Sequence, residues 1–193
     1  MSACRSTCWC ATRSWSGAAM SKRRIAAALL TMSAGGFAAW QTSEGFTDRA
    51  VIPTKGDVPT IGHGSTRYED GRPVRLGDTI TPKRAEVLAR NLLTQDEKRF
   101  AASLPGVKLY QDEFDLYMNF VGQYGIGNWR KPKSPRTWLL KGDYVGACEA
   151  LLNWRYVANY DCSTQVNGKP NKRCYGVWTR QLERHRKCME AQR

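Results

Sequence analysis

The sequence predicts an α+β fold, a mainly helical body carrying a small β-hairpin lobe and preceded by an N-terminal export or anchor helix. Three observations lead there. Between Ala50 and Tyr68, the β-prone residues Val51-Ile52, Val58 and Thr60-Ile61 stand among several Gly and Pro breaks, the pattern of a short hairpin sheet. Beyond it, capped apolar stripes at helical spacing follow one another to Met189. Neither an internal repeat nor a low-complexity linker divides the chain, and 193 residues with 41% apolar content suffice for one domain plus an appendage.

The helices are read from their start signals. Thr81-Pro82 pairs an N-cap with the residue favoured at the first helical position; Ala85, Leu88 and Leu92 then recur to about Phe100. Phe114, Tyr117 and Val121, with Leu116 and Phe120 beside them, mark a helix that the glycines at 122, 125 and 127 should end. Ser134-Pro135 repeats the cap signal before Thr137 to Leu140, and Gly142 stops that helix. Asp143 then caps one expected to carry Cys148, Leu151, Leu152 and Trp154. The last helix should place Trp178, Leu182, His185 and Met189 on one face, which reads as core rather than as cofactor ligands.

Seven cysteines fall into two groups, Cys4, Cys8 and Cys10 at the N-terminus and Cys148, Cys162, Cys174 and Cys188 in the last quarter. Cys162 and Cys174 flank turn chemistry, Asn167-Gly168 and Lys169-Pro170-Asn171, suited to a disulfide-closed loop, while Cys148 and Cys188 are placed to bridge two packed helices. Paired cysteines imply an oxidising compartment. Neither His63 nor His185 accompanies Cys pairs at zinc spacing, so no metal or other cofactor is expected.

Residues 25–43 carry no charge, and Lys22, Arg23 and Arg24 stand directly before them, the positive-then-apolar order of an export signal. A comfortable membrane span takes about 20 predominantly apolar residues. This one is rich in Ala and Gly and includes Thr31 and Ser33, so its inserted state is only marginally favourable and the segment can insert and later withdraw. The alternative is a cleaved signal peptide, with small-x-small sites at Ala34-Gly35-Gly36 and Gly36-Phe37-Ala38. Met20 looks a natural start, which makes 1–19 an upstream extension, 20–43 the targeting segment and 44–193 the globular domain. The net charge of +13 points to a polyanionic partner without choosing between nucleic acid, anionic lipid and bacterial wall.

Candidate chemistry begins at Glu44. Glycoside cleavage needs a carboxylic acid kept protonated for the leaving oxygen and a second polar group to place water on the other face of the sugar. Phe46, Val51 and Ile52 could keep water from Glu44 and raise its pKa. Glu44-Gly45 followed by Thr60-Ile61-Gly62-His63-Gly64 resembles the E-G... T-I-G-Y-G-H signature of phage-type lysozymes, the glycoside hydrolase family of lambdoid-phage endolysins. The stretch from Gly146 to Trp154, then Gly176-Val177, Arg180, Glu183-Arg184 and Cys188, is similar to the family's C-terminal pattern, so the resemblance runs from about Thr42 to Glu190. It implies a lysozyme-like fold and a muramidase, and the segment before Glu44 is similar to the signal-arrest-release segments of some members.

The resemblance assigns Glu44 as catalytic acid and Thr60 as the residue that places water or sugar. Where the family has its Asp, nine residues after the Glu, this chain has Pro53, and counting back six from Thr60 reaches Thr54. Either Asp57 orients the water from a re-shaped hairpin or Thr54 holds it by its hydroxyl; Asp57 is preferred as the catalytic partner, with Thr54 as a substrate contact. His63 replaces the family's Tyr and reads as a cleft-lining substitute, Ser65 replaces its final His, and Gln123 keeps an amide where the family often has Asn. The implied protein is made in the host cytoplasm, is exported to the inner membrane and periplasm, is tethered through residues 25–43, and acts as a monomer on peptidoglycan glycan strands. Two rivals remain. A lytic transglycosylase would cut the same bond with one Glu and close an anhydro ring. A basic membrane- or nucleic-acid-binding module would use Trp129, Arg130, Lys131 and Lys133, but stacking and charge explain neither the Glu44 and Thr60 motif nor the paired cysteines, so no specific nucleic acid is expected.

Overall fold

A computed structural model describes residues 23–193; the readings for 1–22, including Cys4, Cys8 and Cys10, lie outside the described residues. The helices are α1 (Ala34–Glu44), α2 (Pro82–Ala102), α3 (Gln111–Trp129), α4 (Pro135–Leu139), α5 (Tyr144–Ala150) and α6 (Tyr175–Glu190). The strands form four antiparallel pairs: β1 (Ile25–Ala26) with β4 (Lys108–Leu109), β2 (Thr47–Val51) with β3 (Thr60–Gly62), β5 (Tyr156–Val157) with β6 (Tyr160–Asp161), and β7 (Gln165–Val166) with β8 (Lys169–Pro170). This is the α+β plan the sequence predicts. The β2–β3 pair is the expected hairpin, and Val51 faces Thr60 across it.

Several caps form where the sequence signals them. The Thr81 hydroxyl accepts the Arg84 N–H at 3.3 Å, and the Asp143 carboxylate accepts that of Gly146 at 2.7 Å. Ser134 acts differently, since its hydroxyl donates to the Trp129 carbonyl instead of capping α4. α3 runs on through Gly122 and kinks at Gly125, whose φ of 79° and ψ of 155° suit glycine alone. The helix expected to reach Trp154 breaks into a 3₁₀ turn at Leu151.

The main core is built around Trp129, fully buried with its ring centroid 5.0 Å from that of Phe100, 5.5 Å from Tyr117 and 5.9 Å from Phe120. Its indole N–H donates to Ser103 Oγ at 2.8 Å, so the one polar atom of the ring is also satisfied. Trp129 therefore belongs to the core and not to a nucleic-acid stacking surface. Trp129→Ala is expected to cost about 3–5 kcal/mol, read as a fall in the urea midpoint at unchanged slope. A smaller cluster of Ala50, Ile61, Val74, Ile80, Ala85 and Leu88 lies under the hairpin lobe.

The segment from Ile25 to Ser43 is not one helix. It pairs as β1 with β4, turns through a 3₁₀ stretch at Ala27–Leu29, runs extended and becomes helical only at Ala34, where the Ser33 hydroxyl accepts the Gly36 N–H at 3.0 Å. Ala27, Leu30, Met32 and Phe37 are buried in the main core. Carboxylates of the body fasten the bend: Glu97 accepts the Met32 N–H at 2.7 Å and Asp115 accepts that of Ser33 at 2.9 Å, while Gln111 donates to the Thr31 carbonyl at 2.8 Å. Arg24 donates twice to the buried Glu113, at 3.0 and 2.9 Å, between the rings of Tyr110 and Tyr144. Local hydrogen bonds and polar partners override a helix run based only on missing charge. Among the described residues no helix is long and apolar enough to cross a membrane.

The last helix is rotated from the expected face. Gln181, Arg184 and Cys188 are buried, whereas Leu182 is 42% exposed and His185 turns outward to Glu149 at 3.0 Å. The reason is polar complementarity: Arg184 donates to Asn119 Oδ1 at 3.1 and 2.6 Å, Gln181 donates to the Tyr124 hydroxyl, and Cys188 bonds to Cys148. Both expected disulfides are present, Cys148–Cys188 joining α5 to α6 and Cys162–Cys174 closing the loop that holds the β7–β8 hairpin.

Candidate active site

Glu44 ends α1, and Gly45 turns the chain away with φ 72°. Its carboxyl opens on a cleft of about 400 Å³ between α1, the turn after β3, α2 and α3; the walls include Trp40, His63, Gly64, Ser65, Thr66, Arg67, Asp96, Met118 and Gly122. Two glycines set the width of this cleft. A Cβ on Gly122 would lie 3.1 Å from Trp40 Nε1, and one on Gly64 would lie 3.3 Å from Glu44 Oε2. The backbone of the turn thus forms the wall directly beside the carboxyl.

Glu44 is exposed at the cleft rim, yet partial burial of its carboxyl pushes its pKa above the usual carboxylate range, and the charge of Arg180 on α6, joined by that of His63 only when its ring is protonated, opposes that rise. The screening residues are not those expected from sequence. Phe46, Val51 and Ile52 are 43%, 40% and 45% exposed, because β2 turns only Ala50 to the core and leaves Val51 on the solvent side. Gly64 stands directly against the carboxyl instead, and Trp40 and His63 line the same cleft.

The remaining predicted residues are dispersed. His63 is brought to the cleft wall. Thr60 is half-buried on β3, its hydroxyl donating to the Val51 carbonyl at a long 3.4 Å. Thr54 and Asp57 sit in the exposed turn between β2 and β3, where the Asp57 N–H meets the Thr54 carbonyl at 2.9 Å and the Asp57 carboxylate accepts the Val58 N–H at 2.9 Å. Gln123 is exposed on α3, one residue beyond the cleft-lining Gly122. Thr54, Asp57, Thr60 and Gln123 therefore do not line the cavity beside Glu44. Ser65, in place of the family His, is buried and closes its turn through two backbone bonds with Ile61, each 3.0 Å.

Sequence reasoning missed three residues that bear on the site. Arg180 carries no role in the C-terminal pattern, yet its positive charge on α6 lowers the Glu44 pKa against the effect of burial without lining the cleft. Asp96 lines the cleft from α2, where it pairs with Arg99 at 3.1 Å. Gln41 lies one helical turn before Gly45 and reaches His63. No local signal marks any of them, since each joins the site through tertiary contact. Among the described residues no cluster of three or more His, Cys, Asp or Glu is arranged to hold a metal ion.

The chain is 29% identical over 127 residues to the endolysin of Salmonella phage P22, covering 66% of this chain and 85% of that one. Its fold is similar to that of the endolysin from Escherichia coli O157:H7 phage FAHEc1, with a TM-score of 0.63 at 28% identity over 84% of this chain and 95% of the other. The active form of the P1 phage endolysin Lyz shares the fold, with a TM-score of 0.63 at 16% identity over 86% and 88% of the two chains. The model of the phage lysozyme family matches residues 41–183, a span running from the last turn of α1 through most of α6, and the chain belongs to that family.

Proposed function

We propose that this phage lysozyme hydrolyses the β-1,4 bond between MurNAc and GlcNAc in bacterial peptidoglycan, with Glu44 as the general acid. The observation that carries the reading is the partly desolvated Glu44 carboxyl on a cleft that a glycan strand can enter. A carboxyl with a raised pKa keeps its proton nearer neutral pH and can deliver it to the leaving oxygen. The family spacing supports Thr60 as the residue that places water or sugar and Asp57, or Thr54 by its hydroxyl, as the group that orients the attacking water; all three lie on the hairpin outside the cavity beside Glu44, so these roles require the bound strand to extend over it. Gln123 offers an amide to the strand from α3.

The family tie supports lysis of the host as the purpose of this activity. For export we propose that residues 25–43 insert and tether an inactive enzyme to the inner membrane, and that withdrawal lets the segment fold against the body and bring Glu44 to the cleft. The supporting features are the uncharged run behind Lys22, Arg23 and Arg24, and two disulfides that need an oxidising compartment. The enzyme acts as a monomer, and its net charge of +13 holds it near anionic wall and lipid rather than at a specific nucleic acid. Replacing residues 25–43 by a strongly apolar permanent span should give an inactive, membrane-bound protein; full activity from it would end the tether proposal.

Mass spectrometry of muropeptides released from purified peptidoglycan tests the chemistry. Products with a reducing-end MurNAc are expected, lost in Glu44→Gln and reduced in whichever of Asp57→Asn and Thr54→Ala removes the water-positioning group. Anhydro-MurNAc ends would instead make the protein a transglycosylase.

A further inference from the structure

His63 stands at the tip of a tight turn, between Gly62 at φ 63° and Gly64 at φ 77°, that the reciprocal backbone bonds of Ile61 and Ser65 close at its base. Its imidazole reaches back to α1. Nδ1 lies 2.6 Å from the Gly45 carbonyl, and Nε2 lies 3.4 Å from the Gln41 amide nitrogen. A carbonyl only accepts, so the proton sits on Nδ1; the lone pair of Nε2 then faces an N–H donor. The ring is also packed between aromatic neighbours, with centroids 5.7 Å from Phe46 and 6.4 Å from Trp40. Both ring nitrogens are thus engaged by the protein, which leaves the imidazole neither a donor nor an acceptor for a sugar hydroxyl.

The groups it holds are those that set the position of Glu44. Gln41 is in the last turn of α1, Gly45 is the first residue beyond it, and Gly64, next to His63 in the turn, presents its backbone to the Glu44 carboxyl. We propose that His63 is a positioning residue, which clamps the C-terminal end of α1 to the turn after β3 and so fixes the Glu44 carboxyl against Gly64. It acts on turnover through Glu44 and makes no contact with the glycan. Misplacing a reacting group by about 1 Å can cost 10²-fold in rate, so a single clamp of this kind has a measurable effect.

The proposal rests on Glu44 being the general acid, and the test separates the two. Steady-state kinetics on soluble glycan strands, with a thermal unfolding midpoint for each protein, would compare His63→Ala, His63→Asn and His63→Gln. The Asn amide N–H takes the place of Nδ1–H and can still donate to the Gly45 carbonyl; that of Gln falls near Nε2 and cannot. Expected is a fall in kcat of about 10- to 100-fold for His63→Ala, KM within about twofold of the original, substantial recovery of kcat in His63→Asn and little in His63→Gln. Should His63→Ala fail to fold, the order of Asn above Gln still decides. The proposal is overturned by a raised KM at unchanged kcat, which would make His63 a sugar contact, by His63→Gln equalling or exceeding His63→Asn, or by full kcat in His63→Ala. If Glu44→Gln keeps full activity, the reading of Glu44 fails first; if it is inactive while His63→Ala is unimpaired, only the clamp fails.

Discussion

Glu44→Gln is expected to lower kcat by roughly 10²–10⁴-fold while leaving the protein at least as stable near neutral pH. The second half follows from the direction of the pKa. Burial holds the carboxyl above its unfolded value, so the folded protein binds the proton more readily, and this group's contribution to stability declines as pH rises from the unfolded pKa through the folded one. An uncharged amide removes that loss. The same raised pKa fixes the alkaline limb of the pH–rate profile, because the acid must be protonated to act. Arg180 opposes the rise, so Arg180→Met should lift the pKa further and carry activity to higher pH. A limb that moves downward, or turnover by Glu44→Gln at the original rate, is incompatible with Glu44 as the acid.

Loss of the Cys148–Cys188 bond should cost more stability than loss of the other disulfide. It links residues 40 apart in sequence, and both cysteines are fully buried, with the Tyr117 hydroxyl 3.3 Å from Cys188 Sγ. Chain-entropy reasoning gives about 4 kcal/mol for a loop of this length and about 3 kcal/mol for Cys162–Cys174, which spans 12 residues. Guanidinium unfolding of Cys148→Ala/Cys188→Ala against Cys162→Ala/Cys174→Ala measures both. The first pair should lose more and loosen the seat of α6, and with it Arg180. Equal midpoints for all three proteins would mean that neither bond constrains the unfolded chain appreciably.

The parts of the fold legible in the sequence are those written locally. Thr81-Pro82 and Asp143 start their helices because a cap needs only the next three residues, and the four later cysteines pair as turn chemistry and helix packing had led one to expect. The face of α6 was not legible. Its buried side is polar, and an apolar-stripe reading passes over an arginine and a glutamine whose partners, Asn119 and Tyr124, lie on α3. The bend from Ile25 to Ser33 was hidden for a similar reason, since Glu97, Asp115 and Gln111 hold it from distant sequence. In the site, the family motif pointed to Glu44 and Thr60; Glu44 stands on the cleft, whereas Thr60 lies on β3 outside it. Arg180 lies far along the chain from Glu44 and its charge acts there only after α6 docks, and a hairpin with Pro53 at the family's Asp position gives no local sign of which group holds water.

The close approach of α1 to α3 sets a ceiling on side-chain size along the segment that is also read as the membrane tether. A Cβ on Gly36 would stand 2.7 Å from the Asp115 carboxylate, which Ser33 and Gln111 hold in place. If residues 25–43 act as the proposed tether, drift toward Leu or Val at this position would strengthen membrane retention and, in the same step, wedge apart the helix that delivers Glu44. Variation favouring a firmer anchor is therefore confined to faces of α1 turned away from α3, such as Ala38, which is exposed. A family-wide comparison of this helix should accordingly find bulky residues admitted at 38 and refused at 36.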